Sequence, residues 1–144
     1  MTIRKYKNAD LAEILNIYSL TKLEELRFES EKFNFLPLDL DEKRFKAFQE
    51  CEVFVYGERE VLGYCAFFGN EIRALFVLPQ FQGKGVGKSM LKFMLTNIQG
   101  EASLNLVASN IPAKKLYESF GFGVTAEFIA DYNGKSVLAI EMRQ

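Results

Sequence analysis

The stretch Leu75 to Ser89, LFVLPQFQGKGVGKS, constrains the fold of this chain more than any other. An apolar run ends at Val77, Pro79 stops it, and Gly83, Gly85 and Gly87 then fall at alternate positions. Val86, Met90, Phe93, Met94 and Ile98 follow at helical spacing, so the pattern reads strand, short loop, glycine turn and amphipathic helix. Glycine admits positive φ and a close approach of backbone to a ligand. A helix start offers unpaired N–H groups and the positive end of the macrodipole. Together these predict an anion site suited to phosphate or pyrophosphate, with Lys84 and Lys88 adding positive charge.

Spacing separates the kinds of glycine loop. A P-loop, G-x-x-x-x-G-K-[ST], would close on Gly87, Lys88 and Ser89 but needs glycine where Gln82 stands. The dinucleotide fingerprint G-x-G-x-x-G puts Lys88 in its last place if it starts at Gly83, and Met90 if it starts at Gly85. A third pattern, [QR]-x-x-G-x-[GA], fits Gln82-Gly83-Lys84-Gly85-Val86-Gly87. That hexapeptide resembles the acyl-CoA pyrophosphate loop of the GNAT superfamily of N-acetyltransferases. A second segment, Ser109 to Phe122, is similar to the family's N-x-x-A-x-x-x-Y-x-x-x-G-F, matched by Asn110, Ala113, Tyr117, Gly121 and Phe122.

The other elements fit that resemblance. Thr2 to Tyr6 reads as a strand, and Asn8 or Asp10 caps a helix whose buried stripe is Leu11, Ile14, Leu15 and Tyr18. A connector and a short helix reach Phe48. Cys51–Tyr56, Val61–Phe68 and Glu71–Val77 then read as three strands joined by the turns Gly57–Glu60 and Gly69-Asn70. Beyond the long helix, Ser103 to Ala108 is a strand. Ser109 or Asn110 caps a helix with Pro112 in its first turn, and Gly121 closes it. Phe122–Tyr132 and Ser136–Met142 form a hairpin about Asn133-Gly134. The expected fold is α/β (α+β): one GNAT domain over 1–144, with a mixed, mostly antiparallel sheet of about seven strands and helices on both faces.

The resemblance implies acetyl transfer from acetyl-CoA, as co-substrate and without a metal, to a primary amine through a tetrahedral intermediate. The family's strand before the loop parts from its neighbour, which makes the Val77 N–H the expected oxyanion donor and gives Phe76, Val77 and Leu78 the pantetheine arm. The cofactor residues of the loop are Gln82, Gly83, Lys84, Gly85, Val86, Gly87, Lys88 and Ser89. Asn110 is expected to hydrogen-bond the cofactor, and Tyr117 matches the tyrosine that protonates the leaving thiolate. A phenol suits that role, since its pKa of ~10 keeps it protonated at neutral pH. Glu71 is the candidate general base: it stands six residues before Val77, and even spacing on a strand puts both side chains on one face.

Composition limits the alternatives. The 144 residues include no histidine, which excludes His/Cys zinc sites and histidine dyads, and a net charge of −1 argues against nucleic-acid binding. No stretch suits a membrane span or a signal core, so the expected setting is the reducing cytoplasm, with Cys51 and Cys65 as buried free thiols in strands. The expected state is monomer or homodimer. The connector from Lys22 to Glu42 carries seven acidic residues against three basic ones, which favours a cationic or neutral amine acceptor, small-molecule or peptide. Two other functions stay open: an acyl-CoA sensor without chemistry, and a P-loop-like nucleotide-binding protein.

Overall fold

Alternation along the strands decides which face each helix covers. The computed structural model describes residues 2–144. In chain order they form β1 (Ile3–Lys5), α1 (Leu11–Thr21), α2 (Glu42–Glu50), β2 (Glu52–Tyr56), β3 (Gly63–Phe68), β4 (Glu71–Val77), α3 (Val86–Asn97), β5 (Ser103–Val107), α4 (Ile111–Glu118), β6 (Gly123–Tyr132) and β7 (Lys135–Arg143). The seven strands make one sheet in the order β1-β2-β3-β4-β5-β7-β6. Only β4 and β5 run parallel; every other pairing is antiparallel. This is the mixed α/β sheet expected.

Val53, Val55, Tyr64, Ala66, Ala74 and Phe76 point to one side, where Ile14, Ile17 and Tyr18 of α1 and Phe45 and Phe48 of α2 pack on them. Cys65, Phe67, Leu75 and Val77 point to the other, against Val86, Met90, Leu91 and Met94 of α3 and Leu116 of α4. The buried arcs are wider than the expected stripes. Ile17 and Thr21 join α1, Leu91 joins α3, and Leu11 and Leu15 are only half-buried. A third, smaller cluster pins the connector: Leu23, Leu26 and Phe33 pack on Val107, Val137, Ala130 and Tyr132.

Local polar chemistry ends the elements, not always as expected. Asp10 precedes α1, but its carboxylate takes both Nη atoms of Arg4, at 2.9 and 2.8 Å, and the Lys7 N–H instead of capping the helix. Those donors hold the Asp10 carboxyl below the ordinary carboxylate range. Asp41 does cap α2, accepting from the Arg44 N–H at 3.2 Å. Cys51 sits past the end of α2 rather than in a strand, half-buried, its thiol donating to the Ala47 carbonyl. Cys65 is buried in β3, and desolvation pushes its thiol up to about 12.

One irregularity positions everything that follows. Ala66 pairs with Ala74, but Phe67 pairs with Ile72, so β4 carries one extra residue, Arg73, opposite β3. This β-bulge bends and twists its strand. Pairing of β4 to β5 ends at the same point: Glu71 meets Ser103 and Ile72 meets Leu104, and beyond them the two strands share no bridge. A wedge opens between them toward Val77 and Val107.

Candidate active site

The wedge exposes one edge of β4. Leu78 donates its N–H to the Leu62 carbonyl at 2.9 Å, so its backbone faces β3, and the two-residue repeat turns Phe76 the same way. Val77, between them, turns its N–H and carbonyl toward the wedge. Its carbonyl accepts from the Gln82 side chain at 3.0 Å, and the same amide donates to Glu24 at 3.2 Å. The Val77 N–H has no hydrogen-bond partner among the described residues. Close packing behind it holds the edge in place: a Cβ on Gly63, which pairs with Val77, would lie 2.7 Å from the Phe76 carbonyl oxygen.

The glycine turn faces the same wedge. Gly83 and Gly85 adopt φ of 75° and 87°, where a side chain is strained, and a Cβ on either would meet open space. Gly85 caps α3, whose first intrahelical bond runs from the Ser89 N–H to the Gly85 carbonyl. Val86, Gly87 and Lys88 therefore begin the helix with N–H groups lacking an intrahelical acceptor. Ser89 has already used its N–H, leaving only its hydroxyl for a ligand. The Val86 side chain is buried in the core, so only its backbone is available. Lys84 and Lys88 are exposed, and Lys84 lies over the Phe81 ring.

Across the wedge, Asn110 occupies the N-cap position of α4 without making a capping bond, although it is only 9% exposed. Its side chain has no hydrogen bond among the described residues and lines the cleft. Tyr117 lines it too, half-buried, with its ring edge-on to Phe122 at 5.6 Å. Desolvation raises its pKa above the ordinary tyrosine value, so the phenol keeps its proton at neutral pH. The structure thus brings Val77, Gly83, Gly87, Asn110 and Tyr117 onto one cleft of about 640 Å³.

Glu71 is placed elsewhere. The expectation that it shares a face with Val77 assumes unbroken alternation, and the bulge at Arg73 breaks it. Ile72, not Glu71, joins Leu75 and Val77 on the α3 face. A one-residue slip moves a strand's side chains to the opposite face. Glu71 instead accepts from Arg73 Nε at 2.6 Å, is 39% exposed, and lines a second cavity of about 240 Å³ on the α1/α2 side.

The connector's charges also separate. Of its seven acidic residues only Glu24 and Glu25 line the main cleft, balanced there by Lys22 and Arg27. Glu25 pairs with Lys22 at 3.2 Å and accepts from the Tyr132 hydroxyl at 2.6 Å. The basis for a cationic preference is therefore absent at the site. The Gln82, Glu25 and Tyr132 contacts join residues up to 107 positions apart, and only the Lys22–Glu25 i,i+3 spacing could have signalled any of them.

A helix start whose first N–H groups lack intrahelical acceptors, facing a strand edge across a wedge of diverging strands, is suited to a long ligand with an anionic end. Residues 49–124 match the family model for the acetyltransferase (GNAT) domain, and the chain belongs to that family. It is 35% identical over 72 residues to the spermine/spermidine N(1)-acetyltransferase of Bacillus subtilis, covering 46% of each chain. Over 83 residues it is 32% identical to the peptidyl-lysine N-acetyltransferase YjaB of Salmonella typhimurium, covering 58% of this chain and 57% of that one. The matched region thus spans about half the length of these curated relatives. Among solved structures, yncA of Salmonella typhimurium with its cofactor acetyl-CoA superimposes with a TM-score of 0.74 at 25% identity, covering 100% of this chain and 92% of that one.

The position of Glu71 generates a prediction. Glu71→Gln is expected to lower thiol release from acetyl-CoA by far less than the ~10²–10⁴-fold that a general base supplies. A loss in that range, with the acid limb of the pH profile abolished, would return Glu71 to the catalytic machinery.

Proposed function

We propose that this protein transfers the acetyl group of acetyl-CoA to the nitrogen of a primary amine by direct attack. The observation that carries the reading is the Val77 N–H, without a partner among the described residues, on the splayed edge of β4 facing the glycine-capped start of α3. In this reading the N–H groups of Val86, Gly87 and Lys88 take the pyrophosphate, with Gly83 and Gly85 keeping side chains out of its way. The edge of β4 from Phe76 to Leu78 runs beside the pantetheine arm, and Asn110 supplies a further hydrogen bond.

The amine attacks as its free base; Glu71 lies off this cleft, and of the carboxylates that line it Glu24 is held by Gln82 and Glu25 by Lys22 and Tyr132. As the C–N bond forms, negative charge grows on the carbonyl oxygen, and the Val77 N–H stabilises it as a fixed dipole. The C–S bond then breaks, and Tyr117 donates its proton to the departing thiolate. The burial that raises the Tyr117 pKa keeps that proton in place until it is needed. Coenzyme A leaves as the thiol, and the amine's surplus proton returns to Tyr117 or solvent. The relatives named above act on polyamines and on peptidyl-lysine, which supports an amine acceptor, small or peptidic.

Two variants test the assignment. Gly85→Val places a β-branched residue at φ 87°, where only glycine is unstrained, and crowds the anion site. It is expected to abolish acetyl-CoA binding by calorimetry, while circular dichroism reports a folded chain. Unchanged affinity in a folded variant would refute the loop assignment. Tyr117→Phe removes only a hydroxyl; turnover is expected to fall by ~10²–10⁴-fold with acetyl-CoA affinity retained. Turnover near the parent's, with chemistry rate-limiting, would reduce Tyr117 to packing against Phe122.

A further inference from the structure

The second cavity lies on the α1/α2 face and meets the cleft along Lys22, Arg73, Ala74 and Phe76, which line both. At about 240 Å³ it is smaller than the ~300–1,000 Å³ of a drug-sized site, so it suits a compact molecule or one end of a longer one. Leu38, Phe48 and Phe76 give it apolar walls.

Its polar lining is dominated by unused donors. Tyr64 is 1% exposed and Tyr18 5% exposed, and neither hydroxyl has a hydrogen-bond partner among the described residues. The rings are buried, but the hydroxyls open onto the cavity, where a ligand can reach them. The two rings flank Phe76, at centroid distances of 6.0 and 5.5 Å. Arg44 lines the same cavity, stacked on Tyr132 at 4.7 Å. Asp41 binds its Nη1 at 2.9 Å, while Nε and Nη2 have no partner among the described residues. Burial raises both phenols, Tyr18 to about 12, so they remain donors at any physiological pH.

The surrounding charges do not cancel this demand. Glu25, Asp41 and Glu50 neutralise Lys22, Arg44 and Arg73 in turn, but all three carboxylates lie off the cavity lining. Glu71 is the one carboxylate on it, and Arg73 holds it. What enters must supply acceptors to two phenols and the free edge of a guanidinium. A carboxylate does so, because the guanidinium fork matches its two oxygens.

We propose that the second cavity is the acceptor subsite and that it selects an α-amino acid with an apolar side chain, its carboxylate held by Tyr18, Tyr64 and Arg44. Its amino group then points past Phe76 to the wedge. This rests on the acetyl-transfer reading above and narrows it to a substrate class.

The test compares leucine, leucinamide and 3-methylbutylamine by thiol release from acetyl-CoA, after calorimetry has established acetyl-CoA binding. The parent is expected to use leucine with kcat/KM at least about tenfold above leucinamide, the effect of one charge-assisted hydrogen bond. The same margin is expected over 3-methylbutylamine compared at equal free-base concentration, because its ammonium is the less acidic. Leucinamide has the more acidic ammonium, so free-base supply favours the amide and cannot create that preference. Tyr64→Phe and Arg44→Gln are each expected to narrow the leucine-to-leucinamide ratio by about tenfold. A purely packing Tyr64 would instead leave the ratio unchanged. Equal or better use of leucinamide or 3-methylbutylamine by the parent overturns the inference even if a variant misfolds. Absence of acetyl-CoA binding overturns the acetyl-transfer reading and this inference with it, whereas binding with the wrong acceptor order overturns this inference alone.

Discussion

A single extra residue in β4 governs the geometry on which the rest depends. Arg73 is accommodated as a bulge opposite Phe67, and pairing with β5 stops beside it. In an unbroken parallel pair each backbone group of β4 would be bonded to its neighbour, and no ligand could enter the sheet. The bulge bends β4 away, leaving Val77 with one edge bonded, among the described residues, to nothing but the Gln82 side chain. Groups left open in this way cost stability unless water or a ligand satisfies them. The two helices at the mouth of the wedge present further groups for a ligand: N–H groups without intrahelical acceptors at the start of α3, and Asn110 and Tyr117 at α4.

The same bulge sorts the acidic and basic groups. It moves Glu71 off the Val77 face and gives it to Arg73 and the α1/α2 side. That leaves the main cleft without a carboxylate from β4, the two that line it, Glu24 and Glu25, coming from the connector. Chemistry there depends on preorganised backbone donors more than on a titrating base. The connector follows a similar logic: Glu25 and Asp41 are paired with Lys22 and Arg44, and Glu29, Glu31, Asp39, Asp41 and Glu42 lie off the cleft lining.

Much of this was legible in the sequence, for reasons that differ by residue. Gly83 and Gly85 need positive φ, which few other residues tolerate, so their spacing alone marks the turn. Asn133-Gly134 reads as a hairpin on the same grounds, with φ of 51° and 90°. Most helices and strands follow from periodicity, because they pack one face on the core, whereas β6, exposed along most of its length, is marked by the hairpin turn beside it. The bulge was not legible, because Arg73 has nothing in its composition to announce an extra residue, and every inference from parity across it failed. Cys51 read as strand because it opens the alternating run to Tyr56, but the end of α2 takes it. The second cavity was invisible for another reason: Tyr18, Arg44 and Tyr64 are far apart in the chain and each reads locally as core or surface.

The central claim, that β4 presents Val77 to an open wedge that acetyl-CoA fills, is tested most directly by amide hydrogen exchange along that strand. In the free protein the Val77 amide should exchange much faster than those of Phe76 and Leu78, which bond to β3. Saturating acetyl-CoA should protect Val77 and leave its two neighbours nearly unchanged. A Val77 amide as protected as its neighbours without ligand, or one indifferent to acetyl-CoA, would contradict the account.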